Sequence, residues 1–97
     1  MVSNRVIEAD VERALLRAVT EAGGLTWKIP ADAVESGFPD RLILTPRGEL
    51  RLVELKSPTG RLRPVQRLWH EKAARLGFTV DIVRTMEEAR AWAAENC

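Results

Sequence analysis

Along the first quarter of the chain, apolar residues recur at helical spacing: Ile7, Val11, Ala14, Leu15, Ala18 and Ala22. The spacing predicts a helix from about Asn4 to Ala22, with Ser3 or Asn4 as its cap and Gly23-Gly24 as its stop. At ~100° per residue the stripe centres near Val11 and Ala18, with Glu8 roughly 60° away and Asp10 and Glu12 nearer 100°. Glu8 is therefore expected to border the core, and Asp10 and Glu12 to face water. Leu25 to Ile29 alternates weakly and ends at Pro30, as a short strand does, and residues 31–37 read as a loop.

Period-two alternation is clearer further on. One strand is predicted from Asp40 through Leu42 and Leu44, a turn at Pro46 to Gly48, and a second strand from Leu50 to Lys56. Glu54 and Lys56 then share a face with Leu50 and Leu52, while Arg51, Val53 and Leu55 take the other. Pro64 suits the first position of a second helix, striped by Val65, Leu68, Trp69, Ala73 and Leu76 and stopped at Gly77. Phe78 to Arg84 alternates again. Thr85 to Glu88 forms a capping box for a third helix from Met86 to about Glu95, whose Ala89, Trp92 and Ala93 are expected to dock on the sheet.

The order helix, three strands, helix, strand, helix defines an α/β protein. Three strands pair as an antiparallel meander and a crossover helix returns the fourth, giving a small mixed β-sheet flanked by helices. With 97 residues, a single domain spanning 1–97 is expected. No apolar run approaches the ~20 residues of a membrane span. The opening residues lack a long apolar core, and the single Cys97 rules out an internal disulfide framework or a cysteine-based zinc site; both point to the cytoplasm.

Charge changes the picture locally. The formal net charge is only +1, but no acid falls between Glu54 and Glu71, an interval that contains Lys56, Arg61, Arg63 and Arg67. Such a run is either a solvated face or a track for phosphates. The acids matter more. A strand apolar on both faces is central and buried, so Glu54 at its end needs a reason to be there. With Asp40 on the neighbouring strand, two carboxylates converge at one end of the sheet. Two carboxylates, a main-chain carbonyl and waters suit a hard divalent ion such as magnesium, and Lys56 on the same face reaches a phosphate or an attacking water. The plainer alternative is a structural ion-pair cluster.

Pro39-Asp40, thirteen residues, then Glu54-Leu55-Lys56 resembles the signature of the PD-(D/E)xK nuclease superfamily. More narrowly, Glu8 on the first helix, Gly37-Phe38-Pro39-Asp40-Arg41, Val53-Glu54-Leu55-Lys56 and Leu62-Arg63-Pro64-Val65-Gln66 resemble the VRR-NUC family. The resemblance runs from the first helix to Gly77 and implies a restriction-endonuclease-like αβββαβ(α) core. It also implies site roles. Asp40, Glu54 and the Leu55 carbonyl bind Mg2+ or Mn2+, Glu8 completes the site directly or through water, Lys56 orients the water, and Gln66 lines the site. The small, stand-alone members this chain is similar to are virus-encoded, form homodimers and cut four-way DNA junctions, so branched DNA and a second copy are the implied partners. Phe38, at a variable position, is expected to leave the chemistry untouched.

Other residues carry open readings. Gln66, taken without the family, is equally a polar boundary residue, and His70, one turn further on, either approaches the same site or is an exposed helical histidine. Lys28 and Arg41, with Arg61, Arg63 and Arg67, are candidate phosphate contacts, although Lys28 is equally solvated and Arg41 equally paired with an acid. Trp27, Trp69 and Trp92 are expected in the core, and exposure of one of them points to a subunit interface. A nuclease acting on duplex, flap or nicked DNA within a larger machine is the second reading, and a non-catalytic DNA-binding module the third. The chain has no Gly-rich phosphate loop and no His-x-x-x-His helix, and its one histidine leaves little room for a triad.

Overall fold

The computed structural model describes residues 6–97, Ala33 by its backbone alone. The elements follow in the order α1 (Glu8–Glu21), β1 (Leu25–Lys28), a 3-10 turn (Ala31–Ala33), β2 (Arg41–Leu44), β3 (Leu50–Leu55), α2 (Pro64–Arg75), β4 (Val80–Val83) and α3 (Met86–Asn96). The strands make one four-stranded sheet in the order β1-β2-β3-β4. Pairing is antiparallel from β1 through β3 and parallel between β3 and β4, which α2 joins. This is the mixed α/β arrangement that the hydrophobic pattern predicts.

The first helix begins later than its apolar spacing indicates. Ile7 is extended, at φ −111° and ψ 166°, and its N–H donates to Asp10 Oδ2 at 3.0 Å. The Asp10 carboxylate thus satisfies an amide at the helix start, and Glu8 becomes the first helical residue. The predicted caps Ser3 and Asn4 lie outside the described residues.

One face of the sheet, with Ile43, Val53, Leu55 and Val83, packs against Val11, Leu15 and Val19 of α1 and Ala89, Trp92 and Ala93 of α3. The buried line on α1 centres on Leu15 rather than on Val11 and Ala18, and Ile7 is half exposed. Measured from Leu15 at ~100° per residue, Glu8 lies about 20° off and Glu12 about 60°. Glu12 is consequently half-buried, its side chain 30% exposed: its Oε2 meets Arg41 Nη2 at 3.1 Å, and the Arg41 side chain is 9% exposed. A polar clasp fastens α3 to the sheet, with Asp81 Oδ2 accepting from Trp92 Nε1 at 2.8 Å and from Arg51 Nη2 at 2.9 Å.

The opposite face is less covered. Strand register aligns Leu25 with Leu44 and Leu50 in one row, and Trp27 with Leu42 and Leu52 in the next. Leu25, Trp27, Leu44 and Leu50 are all exposed, so β3 is buried only from Val53 to Leu55 and not along its whole length. The second helix also departs from its apolar stripe. Gln66 and Ala73 are its buried residues, with Trp69 and His70 half-buried, whereas Val65, Leu68 and Leu76 are exposed. The physical reason is the surface it meets: at the C-terminal end of β3 the sheet presents Glu54, and the helix turns its polar side towards it.

Gly37 fixes how closely the loop before β2 approaches α2. Its φ is +92°, and a Cβ there would stand 2.4 Å from the Val65 carbonyl oxygen. Phe38 follows, its ring edge-on to Trp69 with centroids 5.0 Å apart. Gly48 shares a positive φ, +83°, but has open space around it. Gly37→Ala should therefore cost about 3 kcal/mol in urea unfolding and Gly48→Ala about 1 kcal/mol, the difference being the clash. Equal losses would contradict this account of the loop.

Candidate active site

Asp40 and Glu54 meet because of strand register. Arg41 pairs with Val53 across β2 and β3, which sets the preceding Asp40 beside the following Glu54. Asp40 Oδ2 accepts the Leu55 N–H at 2.9 Å, so one carboxylate oxygen is anchored to the neighbouring strand. Alternation turns Leu55 into the core and Glu54 towards α2. Glu54 is fully buried, and neither of its oxygens meets a hydrogen-bond donor.

Those facts set the electrostatics. Burial pushes the Glu54 carboxyl up to about 9 from 4.5; the adjacent Asp40 carboxyl pushes the same way, and Glu8 adds to it. Lys56 pulls in the opposite direction without prevailing. A shift of that size corresponds to roughly 6 kcal/mol against the ionised form. Glu8 is raised too, first by burial and then by Asp40, with Lys56 and Lys28 opposing. Glu8, Asp40, Glu54 and Lys56 thus form one interacting group, drawn from the start of α1, the edge of β2 and the end of β3.

A cleft of about 210 Å³ opens among Glu8, Ala9, Glu12, Lys28, Asp40 and Leu55. A second, of about 290 Å³, lies on the other side of Asp40 and is lined by Gly37, Phe38, Pro39, Arg63 and Gln66 among others. Gln66 is 5% exposed, and its Oε1 accepts the Arg63 N–H at 2.8 Å. Its carbonyl therefore caps α2, and this fixes the side chain at the rim of the second cleft.

Of the two readings of His70, the structure favours the one that brings it to Glu54. His70 is not an exposed helical histidine: its side chain is 16% exposed and its Nε2 stands 3.7 Å from Glu54 Oε1. Burial lowers its pKa, which favours the neutral imidazole. Its position one turn beyond Gln66 is the signal in the sequence, masked there by the apolar stripe assigned to α2. Of the basic candidates, Lys28, Arg61, Arg63 and Arg67 are exposed, whereas Arg41 is buried against Glu12, the acid-paired alternative. Trp92 joins the core; Trp69 packs on Phe38 beneath Lys72, and Trp27 is 71% exposed.

The residues present fit a divalent cation. Two buried oxygens without donors, beside a second carboxylate, are what an ion would neutralise. Among the described residues no cluster of three or more histidine, cysteine or acidic side chains is already gathered for a metal, so the protein ligands would be few and waters would complete the shell, as magnesium requires.

Comparison with known proteins identifies the family and the fold. The profile of the VRR-NUC domain matches residues 8–87, and the chain belongs to the VRR-NUC family of nuclease domains. A phage protein described as "Putative nuclease p44", from Acyrthosiphon pisum secondary endosymbiont phage 1, is 31% identical over 84 residues, which cover 86% of this chain and 89% of that protein. A solved structure titled "VRR_NUC domain" superposes with a TM-score of 0.78 at 27% identity, covering 90% of this chain and 94% of the other. Glu8, Asp40, Glu54, Leu55, Lys56 and Gln66 all fall within the matched residues.

The raised Glu54 carboxyl has a consequence for stability. Between pH 4.5 and about 9 the folded chain keeps a proton that the unfolded chain gives up. The stability tied to that proton is complete below pH 4.5 and is lost as pH rises through the folded value. In chelator, thermal unfolding midpoints should fall from pH 5 to pH 9, and Glu54→Gln should remove most of that slope. A wild-type profile as flat as the variant's would show that Glu54 ionises freely.

Proposed function

We propose that this protein is a metal-dependent endonuclease that hydrolyses DNA phosphodiesters, with four-way junctions as its favoured substrate and a homodimer as its working form. The observation that carries the reading is Glu54, wholly buried with both oxygens lacking donors, beside Asp40 and within reach of Lys56's charge. Asp40, Glu54 and the Leu55 carbonyl would hold Mg2+ or Mn2+, with Glu8 contributing directly or through water. Bound there, the ion supplies a Lewis acid for the phosphodiester and makes hydroxide accessible near neutral pH. Lys56 orients the attacking water and meets the charge that develops on the phosphate. Gln66 lines the site from α2. Exposed Lys28, Arg61, Arg63 and Arg67 give the DNA backbone a route to it, with affinity resting on phosphates and shape and falling steeply with salt. No helix among the described residues is long and apolar enough to cross a membrane, and we place the protein in the cytoplasm, with its substrate.

The second copy is supported by the uncovered sheet face. Phe78 borders Leu50 and Leu52 and extends the two leucine rows towards α2. At ~200 Å² for a fully exposed large apolar side chain, Leu25 (61%), Trp27 (71%), Leu44 (42%), Leu50 (55%) and Phe78 (61%) leave roughly 600 Å² open. That lies at the upper end of what monomers carry and is most of the ~800 Å² that each partner gives a stable interface. The two rows carry no charged side chain, so a phosphate backbone has nothing to bind there, whereas an identical apolar face does.

Incubation with four-way, flap, nicked and linear DNA, each with magnesium, manganese or chelator, should show metal-dependent cleavage with preference for the junction. Asp40→Asn and Lys56→Ala should each abolish cleavage and leave DNA binding and folding nearly intact; activity surviving both would place the site elsewhere. In sedimentation, wild type should run as a dimer and Trp27→Glu as a folded monomer. A monomeric wild type would remove the homodimer from the account.

A further inference from the structure

The contact between Glu54 and His70 has no part in the chemistry assigned above. Glu54 Oε1 and His70 Nε2 face each other at 3.7 Å, and both atoms are buried without a hydrogen-bond partner. A buried polar atom left unpaired costs on the order of 1–3 kcal/mol, so two such atoms facing each other across a short gap are unusual. The gap exceeds a normal N–H···O distance by only roughly 0.7 Å. His70 is also held firmly: Ala73 and Gln66 share its side of α2, and the Gly37 approach and the Phe38–Trp69 contact anchor the helix.

We propose that His70 is a positioning residue for Glu54: when the carboxylate ligates a cation, His70 donates Nε2–H to Oε1 and leaves the other oxygen free for the ion. This rests on the metal site proposed above. A carboxylate bound to an ion through one oxygen leaves the second buried and charged, and His70 Nε2 is the buried nitrogen facing it. Partners of this kind fix ligand orientation, and losing one typically weakens metal binding 10- to 100-fold. The imidazole does not itself need to touch the ion.

The test is Mn2+ binding to chelator-treated protein without DNA, measured by the paramagnetic resonance signal of free Mn2+, alongside thermal unfolding. His70→Ala should weaken Mn2+ binding about tenfold or more, and His70→Gln, whose amide Nε2 reaches a similar place, should recover most of it. A purely structural histidine would lower the unfolding temperature in both variants and leave Mn2+ affinity unchanged. Wild-type affinity in His70→Ala overturns the proposal while leaving the metal site standing. So does a His70→Gln as weak as His70→Ala, because it means that the nitrogen ligates the ion or only fills space. Wild-type protein that binds no Mn2+ overturns the metal site and this proposal together.

Discussion

A fully buried carboxyl group that meets no donor from the protein is the constraint around which the molecule is built. Glu54 sits on a central strand, fully buried, with Asp40 alongside. Desolvation and the second carboxyl together outweigh the pull of Lys56, so ionising Glu54 in the protein alone is disfavoured. Replacing the pair with apolar side chains would be the stabilising choice for a fold with no other purpose. An arrangement this unfavourable for isolated anions is favourable for a divalent cation, whose charge offsets what burial and repulsion cost.

The rest of the fold keeps those groups in place. On one side, α1 and α3 brace the sheet through Val11, Leu15, Val19, Ala89, Trp92 and Ala93, and the same α1 face presents Glu8 at its first turn. On the other, α2 crosses from β3 to β4 and turns Gln66 and His70 towards the site, leaving Leu68 and Leu76 outside. The Asp40 to Leu55 hydrogen bond and the Gly37 contact with α2 fasten the connecting loop to both neighbours. The surface is divided in the same way, with exposed basic side chains at the start of α2 and an uncharged apolar face on the sheet.

Much of this was legible from periodicity and spacing. Alternation in the segment from Asp40 to Lys56 separated Glu54 from Leu55 correctly, and Pro64, Gly77 and the Thr85 capping box marked the later elements close to where they lie. What was hidden depended on the partner surface. The α2 stripe pointed Leu68 and Leu76 inward, but a helix facing a carboxylate gains more by presenting Gln66 and His70. Arg41 read equally as a phosphate contact or as the partner of an acid and Glu12 as facing water, and only the packing of α1 on the sheet brings the two to 3.1 Å. Asp10 delayed the helix start by binding the Ile7 amide, a local competition that apolar spacing does not register.

The central claim is that Glu54 holds a proton which a bound cation displaces. Calorimetric titration of the chelator-treated protein with Mn2+ at pH 7, repeated in buffers of different ionisation enthalpy, measures the protons released per ion bound. With the Glu54 carboxyl raised to about 9, release should be close to one proton per ion, and it should fall towards zero in Glu54→Gln. Binding by the wild type without proton release would contradict the account.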